Sequence, residues 1–254
     1  MPAPRGQPEI VFLGDSFTFG TGLADEETFA WLYCEAAARS CANLAEPGSG
    51  TARQVERLRE FLDGRGWRPR EVKLFVFAMT ASFSAGNDLQ DNYLAGRARS
   101  AQPSPGAGGG WLERVLALRG WLERRSNLVR LAKYHWGPLL RSALVPALDD
   151  ARRSEALERT REALGGLAQL GRSYGFALSL YLINPVQDVR RGTHRDTQDA
   201  LSAVSPVALR PTAQVLQHDP ARYYFPLDGH LNPRGARAIA DLLLAEPRLG
   251  PGLG

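Results

Sequence analysis

Three polar residues at opposite ends of the chain have the types needed for acyl transfer. Ser16 closes a Gly-Asp-Ser triplet that follows four apolar residues, and Asp228 and His230 lie near the C-terminus with one glycine between them. A serine hydroxyl is a poor nucleophile at neutral pH and needs an imidazole to take its proton. The imidazole in turn needs a partner at its other nitrogen. Ser16 alone fits either a nucleophile or a helix N-cap, so the surrounding elements must decide.

The hydrophobic pattern predicts alternating strands and helices. Short continuous apolar runs, typical of strands buried on both faces, are followed by segments with apolar residues three and four positions apart. The strands are predicted at 10–13, 41–45, 72–79 and 176–183, and the helices at 25–39, 55–62, 152–174, 197–203 and 233–245. This alternation favours a parallel sheet in a three-layer α/β sandwich.

The polar candidates all fall at comparable places in this pattern. Ser16, Gly48 and Asn87 each follow a predicted strand, and Asp228 and His230 lie in the turn before the last helix. The carboxyl ends of parallel strands meet at one edge of the sheet, where open α/β folds bind their ligands. We therefore expect these five residues to lie close together.

Four motifs in this order resemble the GDSL/SGNH hydrolases. They are Gly14-Asp15-Ser16, the Pro-Gly-Ser-Gly-Thr loop around Gly48, Gly86-Asn87-Asp88, and Asp228-Gly229-His230-Leu231-Asn232. The resemblance covers roughly residues 10–90 and 150–245. It implies a flavodoxin-like α/β/α sandwich with a parallel sheet of about five strands. It also implies ester hydrolysis through a covalent acyl-enzyme, with no cofactor.

The resemblance assigns a role to each candidate. Ser16 corresponds to the nucleophile, His230 to the general base and Asp228 to the carboxylate that orients it. The oxyanion hole would be formed by the backbone N–H groups of Ser16 and Gly48 and by the side-chain amide of Asn87. Such preplaced donors stabilise the tetrahedral intermediate, and loss of one typically costs about 10²–10³ in turnover.

The spacing between the acid and the histidine departs from the usual pattern, because much of the family carries the acid three residues before the histidine. Asp228 stands only two before His230, which is similar to some polysaccharide O-acetyl esterases and acetyltransferases. The alternative is that His230 uses a backbone carbonyl or works without a carboxylate. The shorter spacing also leaves an O-acyltransferase open, and a non-catalytic binding protein that keeps the fold is a third interpretation. Asp15 and Asp88 are interpreted as supports for their loops.

We expect one domain, 1–254, with an insertion at 96–148. The insertion begins with a stretch rich in Gly, Ser, Pro and Ala and continues as basic amphipathic helices. Residues 111–145 carry seven basic and two acidic side chains, so this segment accounts for the whole net charge of +4. It could form a cap with a solvated basic face, or a lid or docking surface that contacts a membrane or a partner. No nucleic-acid-binding module is present in the pattern.

The cysteines, histidines and apolar segments of the sequence give expectations for disulfides, metals and location. Cys34 and Cys41 could form one bridge, but two free buried thiols are the favoured interpretation, since small free cysteines pack as apolar residues. No metal is expected, because His135, His194 and His218 lack ligand partners at suitable spacing. No signal peptide or membrane span is evident, so a cytoplasmic location is the default, with a periplasmic or secreted one as the alternative. The expected partner is a small-molecule, carbohydrate or lipid ester; the oligomeric state is left open.

Overall fold

A computed structural model describes residues 6–78, 92 and 150–246. Five strands form its sheet: β1 (Ile10–Leu13), β2 (Cys41–Asn43), β3 (Glu71–Phe77), β4 (Ala177–Ile183) and β5 (Leu209–Pro211). The strand order is β2-β1-β3-β4-β5 and every pairing is parallel. This is the flavodoxin-like order, and the direction of winding reverses between β1 and β3. The predicted α/β class and parallel sheet are confirmed.

The helices lie on both faces of this sheet. Those named below are α1 (Ser16–Phe19), α2 (Phe29–Ala36), α3 (Thr51–Arg65), α4 (Asp150–Tyr174), α5 (Val186–Arg191), α6 (His194–Val204), α7 (Ala213–Leu216), α8 (Pro220–Tyr223) and α9 (Pro233–Ala245). A 3-10 turn at Asp25–Glu27 precedes α2, where the sequence predicts one longer helix over 25–39. None of the described helices is long and apolar enough to cross a membrane.

The continuous apolar runs form strands because both faces of the sheet are covered. In β1, Ile10 and Phe12 pack into the cluster beneath α2 and α9, while Val11 and Leu13 pack into the cluster beneath α3 and α4. All four side chains are at most 1% exposed. A strand buried on two faces needs apolar residues at successive positions, which is the pattern of this run.

The last helix begins where the sequence predicts it to begin. The Asn232 side chain accepts hydrogen bonds from the amides of Arg234 and Gly235 at 3.0 and 3.1 Å, and Pro233 occupies the first turn. An Asn cap followed by proline is a strong start signal, since the cap satisfies free amides and proline has none to satisfy. This capped start fixes the short segment that carries Asp228 and His230.

The expectation of free thiols is wrong, because Cys34 and Cys41 form a disulfide. Cys34 lies in the last turn of α2 and Cys41 is the first residue of β2. The intervening turn brings their Cα atoms to 6.2 Å, within the range that a disulfide spans. Sequence spacing alone does not reveal this approach, because it depends on how sharply the chain turns after α2.

Two other expectations lie outside the described residues. One is the insertion at 96–148 with its basic helices at 111–145. The other is the Gly86-Asn87-Asp88 motif, which includes the expected oxyanion donor Asn87.

Candidate active site

Ser16 is the first residue of α1, directly beyond the carboxyl end of β1. The buried Asp15 caps this helix, and its Oδ1 accepts a hydrogen bond from the Phe17 amide at 2.9 Å. A side chain at Gly14 would collide with the side chain of Thr18. The Gly-Asp pair therefore allows a tight turn from strand to helix, and this turn places Ser16 at the edge of the sheet.

The Ser16 hydroxyl forms a hydrogen bond with the imidazole of His230. Its Oγ lies 2.8 Å from Nε2, although the residues are 214 positions apart. Burial lowers the pKa of His230 below its usual value, and the nearby carboxylate of Asp228 opposes this shift. The neutral imidazole is the form that can accept a proton from the hydroxyl.

Asp228 contacts His230 at two points. Its Oδ1 accepts a hydrogen bond from the His230 backbone amide at 3.0 Å, while its Oδ2 lies 3.4 Å from Nδ1 of the ring. The ring contact is longer than the roughly 2.7–2.9 Å typical of charge-assisted hydrogen bonds. Among the described residues, Nδ1 has no hydrogen-bond partner. The carboxylate therefore faces the ring nitrogen while its firmest contact is with the backbone.

A closed turn holds these two residues in place. Tyr224 and Leu231 form an isolated antiparallel bridge, and the Phe225 amide donates to the His230 carbonyl at 2.7 Å. The Tyr224 hydroxyl donates to the carbonyl of Asn184, just beyond β4, at 2.9 Å. Burial raises the pKa of Tyr224, so this hydroxyl keeps its proton and the anchor persists. The turn is thus fixed to the same sheet edge that carries Ser16.

The loop after β2 is tied to the loop after β1. The Glu46 amide donates to the Gly14 carbonyl at 3.0 Å, and the Asn43 side chain donates to the Thr18 carbonyl at 2.8 Å. Gly48 lies in this loop with φ +76°, a backbone conformation that favours glycine. These contacts bring the Gly48 loop to the Ser16 side of the sheet edge.

Two backbone amides in these loops have no acceptor among the described residues. Within the part of the chain that the structure describes, the N–H groups of Ser16 and Gly48 donate no hydrogen bond. An amide that binds an oxyanion must be free of other partners in this way.

The arrangement can be compared with known proteins. No protein-family model matches the chain, and no curated protein matches it. A solved structure assigned to the lipolytic G-D-S-L family, from Desulfitobacterium hafniense DCB-2, covers 92% of this chain and 96% of its own, with 12% identity and a TM-score of 0.51. The solved structure of TesA covers 92% and 95%, with 13% identity and a TM-score of 0.50. The chain has the GDSL/SGNH hydrolase fold.

Within this fold, the structure brings together three of the five predicted site residues. Ser16, Asp228 and His230 form a contiguous hydrogen-bonded and charged group, and Gly48 lies in a neighbouring loop. Asn87 lies outside the described residues. The described residues contain no group of three or more His, Cys, Asp or Glu side chains that could hold a metal ion.

An aromatic cluster beside the histidine is not predicted from the sequence. The Phe17 ring lies between two others, with its centroid 4.8 Å from that of His230 and 4.5 Å from that of Phe77. Phe17 and Phe77 are both buried, and Phe77 belongs to β3. The only signal for this role is that Phe17 directly follows Ser16, since apolar residues in strands and helices have no distinctive spacing for a ring stack.

Proposed function

We propose that the protein is a serine esterase of the GDSL/SGNH type, which cleaves a carboxylic ester through a covalent acyl-enzyme. Ser16 is the nucleophile, His230 the general base and Asp228 the acid that supports it. The observation that carries this proposal is the 2.8 Å contact between Ser16 Oγ and His230 Nε2. Nucleophile and base must be within about 2.6–3.2 Å for direct proton transfer.

The reaction follows from these positions. Ser16 Oγ attacks the ester carbonyl carbon while His230 Nε2 takes the hydroxyl proton, which gives a tetrahedral oxyanion and an imidazolium. The imidazolium returns the proton to the departing alkoxide, and the acyl group stays on Ser16. Water then attacks the acyl-enzyme with His230 again as base, which releases the carboxylic acid and restores the hydroxyl.

Asp228 supports the cation that forms on the ring. Its Oδ2 at 3.4 Å stabilises the imidazolium electrostatically, while its hydrogen bond to the His230 amide fixes the backbone of the turn. The burial that lowers the pKa of His230 also keeps the resting ring neutral. Burial therefore favours the neutral form of His230, while the charge of Asp228 favours its protonated form.

The oxyanion would be bound by backbone amides and one side chain. We assign the N–H groups of Ser16 and Gly48, which have no hydrogen-bond acceptor within the described ranges, together with the side-chain amide of Asn87. None of these donors requires a buried charge. The substrate is an ester of small-molecule, carbohydrate or lipid type. We further propose a single domain over 1–254, with 96–148 inserted as a cap.

The test compares hydrolysis of p-nitrophenyl esters by the wild type, Ser16→Ala and Ser40→Ala. Ser40 is a matched control, because its hydroxyl donates to the Gln7 carbonyl at the opposite edge of the sheet. We expect Ser16→Ala to lose at least about 10³-fold in kcat and to resist a fluorophosphonate probe, whereas Ser40→Ala keeps both properties. Equal rates in the wild type and Ser16→Ala would remove Ser16 from the mechanism.

The same assay separates the other interpretations. An acyl product that forms only when a sugar or another hydroxyl acceptor is added would identify an O-acyltransferase. An intact protein that hydrolyses no ester and takes up no probe would indicate a binding protein that keeps the fold.

A further inference from the structure

Exposed large hydrophobic side chains are rare among the described residues, and two of the three adjoin the candidate site. Phe19 is 52% exposed, Leu227 is 87% exposed and Leu244 is 40% exposed. Phe19 lies three residues after Ser16, and Leu227 directly precedes Asp228. Single exposed apolar residues are ordinary, but a contiguous exposed apolar surface often binds a ligand. Phe19 and Leu227 therefore differ from Leu244 in that they lie close in sequence to Ser16 and Asp228.

Phe19 is held on the same helical turn as Ser16. Residues three apart lie on one side of a helix, and α1 spans only these four positions. Asp15 caps the start of α1, while the Gly20 amide closes its end by donating to the Ser16 carbonyl at 3.1 Å. The half-exposed Phe19 side chain is thus held on the side of α1 that carries Ser16, whose hydroxyl would bear the acyl group.

Leu227 is presented by the turn that carries His230. The Phe225 amide donates to the His230 carbonyl at 2.7 Å, and the Gly229 amide donates to the Phe225 carbonyl at 3.1 Å. The Phe225 ring packs over Gly22, where an added Cβ would lie 3.1 Å from its Cε2. The turn therefore touches the loop that follows α1, so the elements carrying Phe19 and Leu227 meet both there and at the Ser16–His230 hydrogen bond.

We propose that Phe19 and Leu227 form an apolar rim that binds the acyl chain of the substrate, so that the enzyme prefers esters of medium-length apolar acids over acetate. This inference rests on the proposed esterase function. An acyl chain attached at Ser16 Oγ would start on the same short helix that carries Phe19. Each methylene that covers an exposed ring or isobutyl group removes apolar surface from water. An acetyl group has a single methyl group and can cover little of this surface.

The test measures kcat/KM for p-nitrophenyl acetate and p-nitrophenyl octanoate, both below their aggregation limits. The variants are Phe19→Ser, Leu227→Ser and the control Leu244→Ser. The control removes a side chain that is also exposed but lies about 16 Å along α9 from its start, at about 1.5 Å per residue. All three positions are exposed, so no core cavity is created.

We expect the octanoate-to-acetate ratio of kcat/KM to fall about tenfold in Phe19→Ser and in Leu227→Ser, and to stay at the wild-type value in Leu244→Ser. The inference is overturned if the ratio is unchanged in both site variants, or if Leu244→Ser lowers it equally. It is also overturned if the variants lose activity only on lipid vesicles, which would make the rim a membrane contact. Absence of any Ser16-dependent hydrolysis would instead reject the proposed function.

Discussion

Asp228 binds the backbone of His230 more closely than it binds the ring. The Oδ1–amide distance is 3.0 Å and the Oδ2–Nδ1 distance is 3.4 Å. One intervening residue is enough for the carboxylate to fold back onto the amide of the residue that it also faces. The short Asp-x-His spacing therefore predicts two separable functions for Asp228, one structural and one electrostatic.

Asparagine and alanine at position 228 should separate these functions. Asp228→Asn keeps an oxygen for the His230 amide but places an N–H group opposite Nδ1, which favours the tautomer with the proton on Nε2. That tautomer cannot accept the Ser16 proton, so we expect a loss of about 10³–10⁴ in kcat. Asp228→Ala leaves the tautomer free and should retain more activity, but should lose about 1 kcal/mol of unfolding free energy with the amide contact.

The measurement combines ester kinetics with thermal unfolding of the two variants. The expected pattern is a more stable but less active Asp228→Asn, and a less stable but more active Asp228→Ala. If the alanine variant were both less stable and less active, tautomer control by this position would be refuted.

The pH dependence of the wild type should report the burial of His230. Because burial lowers the pKa of His230 and its neutral form is the base, kcat/KM should rise with pH through a midpoint below the ordinary value of 6.5. In Asp228→Ala the opposing negative charge is gone, so the midpoint should move lower still. Profiles from about pH 4 to about pH 9 check both. A wild-type midpoint above 6.5 would contradict the dominance of burial.

The strands that are buried on both faces could be predicted from the sequence. β1, β3 and β4 are buried on both faces, and this requirement leaves continuous apolar runs. The fifth strand, Leu209–Pro211, was not predicted as a strand: it has three half-exposed residues, among them an arginine and a proline. Such a sequence fits only an edge strand, where pairing with β4 and not an intrinsic pattern determines its conformation.

In the candidate site, too, some residues could be predicted from the sequence and others could not. Ser16, Asp228 and His230 could be singled out because they belong to motifs that occur in one order along the chain and follow predicted strands or precede a predicted helix. The stack of Phe17 on His230 could not, because phenylalanine is an ordinary core residue and the contact depends on tertiary packing. The Cys34–Cys41 bridge likewise depends on how closely the turn brings α2 and β2 together.

Phe17 should affect catalysis through His230. Its ring centroid lies 4.8 Å from that of the imidazole, so it can stabilise the imidazolium as an aromatic ring stabilises other cations. Phe17→Leu keeps an apolar side chain but removes the ring. We expect kcat to fall about twofold to fivefold with KM unchanged, which corresponds to the energy of about 0.5–1 kcal/mol of such contacts. The pH midpoint should also move to lower values.

Two further variants make this result specific. Phe17→Tyr retains an aromatic ring and should restore kcat. Phe29→Leu removes a ring of the same buried cluster that packs on Phe75 at 4.7 Å, and it should leave the pH midpoint unchanged. A loss of stability in Phe17→Leu without any change in kcat or in the midpoint would assign Phe17 a packing role only.

The Cys34–Cys41 disulfide should contribute to stability more than to activity. The bridge closes a short loop with a sequence separation of 7, and the chain-entropy account gives about 2–3 kcal/mol for a loop of this size. It lies where β2 begins, while Ser16 follows the opposite end of the neighbouring strand. We therefore expect Cys34→Ser/Cys41→Ser to unfold at lower urea concentration, yet to retain ester kcat below its melting temperature.

Reductant provides the matched control for this prediction. Dithiothreitol should lower the urea midpoint of the wild type to that of the double variant and should leave the double variant unchanged. Equal midpoints in all four samples would show that the bridge adds no stability.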